Sequence, residues 1–490
     1  MKILFAVHGY PPECGGGTEL YVRRLAETLQ KRGHAISVAA GSLQWFHTDR
    51  ISEERIEGVS VTKIHRSDPF HDRWDKSFCP PAAALFDRIL TKVKPDLVHV
   101  HHWMRLSRDL VEIARRRRIP AVVTLHDLWT TCLRLDRLLE GEAFCTRLLE
   151  PGACAACVGG ARPWTGRGEL REAAKLFLDD VRNELRCAKR RIVPTRSHGD
   201  RIAAALEMDP ADFAVMANGS IAQLPKAQRR RRPMSDGLLR IGHWGALYHT
   251  KGVHVLLEAV HRARHKERME VHLWGGTPDE GYGEKLKQLA EGIRVSFHGQ
   301  FRAHELSHAE FDVVVLPSLA AESYSFALDE ALALGHPLVV SDFGALGDRV
   351  GEGARRFPRG DRDALAAILD DLVERPSALA KMDPTAVPST LAENAEQLEK
   401  LYEEVVKEGK PSAQSAFDDR AHLIFEFQRS ESRLRHALRY ESLAQFSRNV
   451  VEDRENRVKM IEFLQAERER LEKRVDELTR KIADSNHRHS

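Results

Sequence analysis

At 490 residues, with 42% hydrophobic residues, the chain is long enough for roughly two to four domains with sizeable cores. A net charge of +3 supplies no global field for nucleic acid. No stretch reaches the 18 apolar residues of a spanning helix. Seven cysteines, an odd number mostly in one cluster, argue against a secreted disulfide framework.

The opening residues, Met1 to His8, are too short an apolar run for a signal peptide and pass straight into a strand pattern, so a cytoplasmic location is expected. Gly9 to Gly17 is a turn-rich loop ending in three glycines, Gly15, Gly16 and Gly17. Thr18 to Arg32 carries Leu20, Val22, Leu25 and Leu29 near helical spacing, and Ile36 to Ala40 is a strand again. This is a βαβ unit, and its glycines let backbone approach a ligand closely or simply make a tight turn. The spacing is not Gly-x-Gly-x-x-Gly, so the nicotinamide fingerprint is absent.

The alternation continues with strands at Val59–Ile64, Leu97–His101 and Ala121–Leu125 and a helix over Leu106–Arg116, which predicts a doubly wound sheet. His126 follows a strand's carboxyl end, where ligands of such sheets bind. Residues 130–160 form an insertion with Cys132, Cys145, Cys154 and Cys157, and the Cys-x-x-Cys pair has zinc-knuckle spacing. Structural zinc, a redox pair or plain buried thiols all fit that pattern. A catalytic metal does not, because four thiolates leave no open position. A helix over Glu169–Lys189 and strands at Arg191–Thr195 and Val215–Gly219 complete a first domain, 1–222.

Residues 223–237 are a basic linker containing Arg229 to Arg232. With Arg115 to Arg118 this suggests peripheral membrane contact as one reading, and a solvated face as the other. A second α/β domain, 238–385, opens with the strand Leu238–Trp244, then Gly245 to Gly252 with Lys251 ahead of the helix Val253–Arg264. A lysine at a helix start is favourable when an anion sits beside it. Strands follow at Val271–Gly275, Val295–Gly299 and Asp312–Ser318. The loop Glu322-Ser323-Tyr324-Ser325-Phe326 then leads into a helix carrying Glu330, which ends at Gly335-His336-Pro337. Backbone N–H groups over Ser323 to Phe326 would suit a phosphate, with Glu330 about two turns along the helix. A helix at Asp361–Glu374 and a further one within 386–410 close the globular part. In the tail, 411–490, Ile461, Leu464, Leu471, Val475, Leu478 and Ile482 form a heptad seam interrupted by Arg468. It predicts a coiled coil, either a homo-oligomer or a docking helix for a partner protein.

A strand ending in Pro-Ser, Glu322-x7-Glu330 and then Ala-Leu-Ala-x-Gly-x-Pro-Leu-Val-Val-Ser resembles the donor site of retaining, nucleotide-sugar-dependent glycosyltransferases of group 1, family four. The likeness covers roughly residues 1–410. It implies two Rossmann-like domains of the GT-B fold, with the helix of 386–410 crossing back onto the first. It implies a nucleotide-diphosphate sugar donor and a glycan or lipid-linked acceptor, in surface polysaccharide or glycolipid synthesis. It also implies no catalytic metal, because Lys251 and helix N-terminal amides face the diphosphate. Glu330 would hold the ribose hydroxyls, and Glu322 and His126 would flank the donor sugar. Gly16, Gly17, Gly245, Ser323, Tyr324, Ser325 and Phe326 would line the donor. Two departures stand out: Ala246 replaces the family's arginine, so one phosphate contact is either missing or supplied elsewhere, by His243 or His249, and Ser325 replaces a common glycine. They leave open an epimerase or hydrolase on the same fold, or a sugar-nucleotide-binding scaffold acting through its coiled coil.

Overall fold

The first sheet grows outward from β1 (Lys2–Val7), which lies parallel between β2 (Ala35–Gly41) and β5 (Leu97–Val100). Beyond them come β3 (Arg50–Ile56), β4 (Val59–His65), β6 (Ala121–Thr124), β7 (Arg190–Val193) and β8 (Phe213–Val215), in the order β3-β4-β2-β1-β5-β6-β7-β8. Only β3 runs antiparallel, as a hairpin with β4. The computed structural model describes residues 1–412, other than 45, 47, 68–73, 75–76, 159–166, 223, 225–233 and 383–387, together with residue 469. The predicted coiled-coil seam and the run Arg229 to Arg232 fall outside the described residues.

Helices α1 (Gly17–Lys31), α2 (Pro80–Val93), α3 (Leu110–Arg116), α4 (Pro151–Val158), α5 (Arg167–Cys187) and α6 (Arg196–Leu206) belong to this lobe. Helices cover both faces of the sheet, which is why β1 reads as a continuous apolar run. Sequence periodicity passed over β3, whose Arg-Ile-Ser-Glu-Glu-Arg-Ile pattern is that of a charged, solvated edge strand. The strand expected at Val215–Gly219 instead ends at Val215. Asn218 is buried and Gly219 turns the chain with φ +77°.

The second sheet comprises β9 (Leu239–Trp244), β10 (Met269–Trp274), β11 (Arg294–Gly299), β12 (Val313–Leu316), β13 (Leu338–Ser341) and β14 (Arg355–Phe357). All six are parallel, in the order β11-β10-β9-β12-β13-β14. Its helices are α7 (Val253–Arg262), α8 (Glu280–Ala290), α9 (Phe326–Ala333), α10 (Ala345–Arg349) and α11 (Arg362–Glu374). The two-lobe α/β architecture is that of the GT-B fold.

The last described helix, α12 (Leu391–Lys407), starts with a capping box. Thr390 Oγ1 accepts from the Glu393 N–H, and the Glu393 carboxylate accepts from the Thr390 N–H. It packs on the first lobe, where Leu398, Leu401, Tyr402 and Val405 share a core with Ile3, Phe5 and Val7 of β1. Each large apolar side chain buried this way contributes about 1.5–3 kcal/mol. The Tyr402 hydroxyl bonds His99 Nδ1 at 2.6 Å, and Tyr21 donates to Asn394 Oδ1 at 2.8 Å.

Candidate active site

The loop 322–326, which follows β12 of the second sheet, reaches the residues just past the carboxyl ends of β6 and β7 in the first. Ser323 Oγ donates to the His126 carbonyl at 2.5 Å, and Thr195 donates to the Ser323 carbonyl at 3.1 Å. Phe326 lies against the first lobe's glycine loop, where a Cβ on Gly17 would come within 3.2 Å of its ring. The same ring stacks on Tyr21 at 6.3 Å. Gly16 is the N-cap of α1.

Lys251 and Glu322 meet at the centre, with Nζ and Oε1 2.7 Å apart. The Ser318 hydroxyl donates to the same oxygen at 2.8 Å. Burial alone would raise the Glu322 carboxyl. The Lys251 ammonium and the hydrogen bonds from Lys251 and Ser318 outweigh it and hold the group below its ordinary value. Lys251 ends a single 3₁₀ turn, and Gly252 then turns into α7 with φ +70°. A Cβ at Gly252 would stand 2.0 Å from the Pro317 carbonyl oxygen, so close approach to β12's end requires glycine here. Gly245, at β9's end, also has positive φ, +123°.

Glu330 sits just over one turn into α9, because the helix begins at Phe326 and not at the first glutamate. Its Oε2 accepts from the Trp244 indole N–H at 2.8 Å, and burial pushes its carboxyl up to about 7. Ser325 caps α9 through a hydrogen bond from the Leu328 N–H and holds φ +70°. That left-handed backbone accounts for a preference for glycine at this point. The serine hydroxyl's N-cap bond, about 1 kcal/mol, offsets strain of similar size.

Tyr324 does not line the cleft. It is buried, its hydroxyl accepts from the Gly219 N–H at 3.0 Å, and the Arg349 guanidinium lies 3.7 Å from its ring centroid. Arg349 also pairs with the buried Asp329, so it braces α9 from behind. No local pattern marked that arginine.

His126 is buried at β6's end, and its Nε2 shares a hydrogen bond with His101 Nδ1 at 3.0 Å. Burial holds its ring down to about 3, so it is neutral. Two further pairs stand beside it: His8 with Glu19 at 3.1 Å, which sequence reading missed, and His102 with Asp127 at 3.2 Å. The residues suggested in place of the missing arginine are engaged otherwise. His243 Nδ1 donates to the Val315 carbonyl at 2.9 Å, and burial keeps the ring neutral, down to about 4. Its Nε2 is therefore an acceptor, unsuited to phosphate. His249 turns to Glu142 of the insertion, 3.3 Å away.

Cys132, Cys145, Cys154 and Cys157 line one small cavity of about 40 Å³. A tetrahedral zinc shell at ~2.3 Å sets sulfurs about 3.8 Å apart. Among the described residues, no three of these sulfurs lie within 4.8 Å of one another. The thiols therefore converge on one place without the spacing of a closed zinc shell. No helix among the described residues is long and apolar enough to cross a membrane.

Residues 15–220 match the model of Glycosyltransferase Family 4, and 239–375 that of Glycosyl transferases group 1. The chain is 27% identical to the glycogen synthase of Mycobacterium tuberculosis, over 77% of this chain and 87% of that protein. It is also 27% identical to the MMP alpha-(1->4)-mannosyltransferase of Mycolicibacterium hassiacum, over 78% and 92%. Among solved structures it resembles Anabaena Alr3699/HepE in complex with UDP-glucose. The TM-score is 0.52 at 18% identity, covering 83% of this chain and 98% of that one.

Proposed function

Because the chain belongs to the group 1 glycosyltransferases with the GT-B fold, we propose that it moves a sugar from a nucleotide diphosphate to an acceptor hydroxyl with retention of configuration. The observation that carries this reading is the Lys251–Glu322 pair at 2.7 Å, where the loop ahead of α7 meets the loop ahead of α9. There Lys251 faces the diphosphate and stabilises the charge that develops as the bond from the sugar C1 to the phosphate oxygen breaks. The ionised Glu322 stands beside the sugar, and Glu330 accepts from the ribose hydroxyls. The acceptor oxygen bonds C1 on the same face, and its proton passes to the leaving diphosphate. His126, being neutral, shapes the sugar pocket and moves no proton. That the solved relative Alr3699/HepE was captured with UDP-glucose supports a nucleotide-sugar donor. Its acceptor would be a glycan or a lipid-linked sugar, reached from the cytoplasmic side.

Thermal melting against a panel of nucleotide diphosphates and nucleotide sugars tests this. One nucleotide at 100 times its dissociation constant should add about 2.7 kcal/mol of stability. No shift with any nucleotide would remove the donor-site reading. We read the four insertion cysteines as structural zinc ligands that draw together around the ion. Metal analysis of purified protein should then find zinc that is lost, with a lower melting temperature, in Cys154→Ser. Unchanged zinc and melting would leave a redox pair or metal-free thiols, which here are half-buried to exposed.

A further inference from the structure

The insertion reaches the second lobe. Its Leu138 is buried within the second lobe's core, and Glu142 is the polar end of the contact. Glu142 is held at φ +68°, after Gly141 at +76°, a backbone region costly for a residue with a side chain. Such strain persists where the surroundings impose it, and here they aim one carboxylate at two histidines. His254 Nε2 lies 2.6 Å from Glu142 Oε1, and His249 Nε2 lies 3.3 Å from the same oxygen. The two imidazoles are stacked, 4.6 Å apart and 15° from parallel. The His254 side chain is fully buried, and its far nitrogen, Nδ1, is held by the Tyr282 hydroxyl at 2.8 Å.

We propose that Glu142, His249 and His254 form a binding site for a borderline divalent metal ion of the zinc–cobalt class, which clasps the insertion to the second lobe. Among the described residues these three alone bring ligating atoms from three side chains within 4.8 Å. Two imidazole nitrogens and one carboxylate oxygen are the ligand set that zinc takes, with water filling the remaining position. An adjoining cavity of about 730 Å³, lined by both Glu142 and His249, supplies that water and a way in. Tyr282 orients His254 from its far nitrogen, as outer partners do for metal-bound histidines. Both ligand types already have the protonation state that metal needs. Burial keeps the His254 ring below its ordinary value, and the bonds from Arg362 and His254 outweigh burial to bring Glu142 down to about 2. For the ion to take His254 Nε2, the single ring proton moves to Nδ1 and is donated to the Tyr282 hydroxyl oxygen, so binding selects the other tautomer.

Positive charge is also present: Arg362 donates to Glu142 Oε2 at 2.9 Å, and Arg359 to the Glu142 carbonyl at 2.6 Å. Both take atoms other than Oε1 and leave that oxygen to the ion. The ion would fix the turn that carries His249 and Lys251, and with it the approach to α7.

Cobalt titration of the full chain, stripped with chelator, separates this site from the cysteines. Co²⁺ here should give visible d–d absorption, whereas cysteine ligation adds a near-ultraviolet thiolate-to-cobalt band. His249→Ala, at a half-buried position, should lose the d–d component carried by nitrogen and oxygen, or weaken it at least about tenfold, and keep any thiolate band. Glu142→Gln should do the same, and its melting curve reports whether it folds. Cobalt bound by His249→Ala as tightly and with the same spectrum as by the parent would overturn the proposal. So would a parent spectrum explained by thiolates alone.

Discussion

Lys251→Ala is expected to lower kcat/KM for glycosyl transfer by about 10²–10³-fold, the scale seen when a preorganised group facing developing negative charge is removed. The loss has two sources. The diphosphate loses a cation. Glu322 also loses the strongest of the groups that hold its carboxyl down against burial, so the carboxyl rises. In the parent, Glu322 is lower in the folded state than unfolded. Its contribution to stability is present above the unfolded carboxyl value and is lost as pH falls through the folded one. In the variant that contribution shrinks, and the acid limb of the rate profile should move to higher pH. Lys251→Arg, which keeps the charge, should recover part of the rate. The lysine is more than a third exposed, so its ion pair adds little to stability after solvent screening. Steady-state rates across pH, beside melting curves, check this. A Lys251→Ala enzyme with parental kcat/KM and pH profile would remove Lys251 from the chemistry.

Glu330→Ala is expected to weaken donor binding by about 10–100-fold, since a hydrogen bond to a charged group contributes about 1.5–3 kcal/mol. Donor affinity should also depend on pH. Without ligand, burial holds the Glu330 carboxyl up to about 7. Ribose hydroxyls donate to the ionised form, so binding strengthens as pH rises through that value and levels off above it. The same shift lowers stability as pH rises from the unfolded carboxyl value to about 7, because the folded state there holds the proton more tightly. Glu330→Gln keeps an acceptor for the Trp244 N–H but cannot ionise, so its donor affinity should be flat across this range. Calorimetric titration of the nucleotide at several pH values measures both effects. A pH-independent parent, or full affinity in Glu330→Ala, would place the ribose elsewhere.

Much of this was legible locally. Apolar runs bounded by glycine and proline marked the βα units, and strand ends located the loops that carry Lys251, Glu322 and His126. Periodicity also left errors where local signals are weak. The charged edge strand β3 has no apolar run, and the start of α9 fell four residues beyond Glu322, which brought Glu330 closer to the helix start. The coiled-coil seam remains a reading of the sequence.

Residue types, their spacing and the order of elements were determined by the sequence itself, because helix and strand periods and turn chemistry act over a few residues. The tertiary structure alone decided which groups meet. Lys251 finds Glu322 across 71 residues, Ser323 finds the His126 carbonyl across 197, and Tyr402 finds His99 across 303. It also turned His249 away from the donor side toward Glu142. Such pairings depend on strand order and on the packing of one lobe against the other, and no local propensity encodes either.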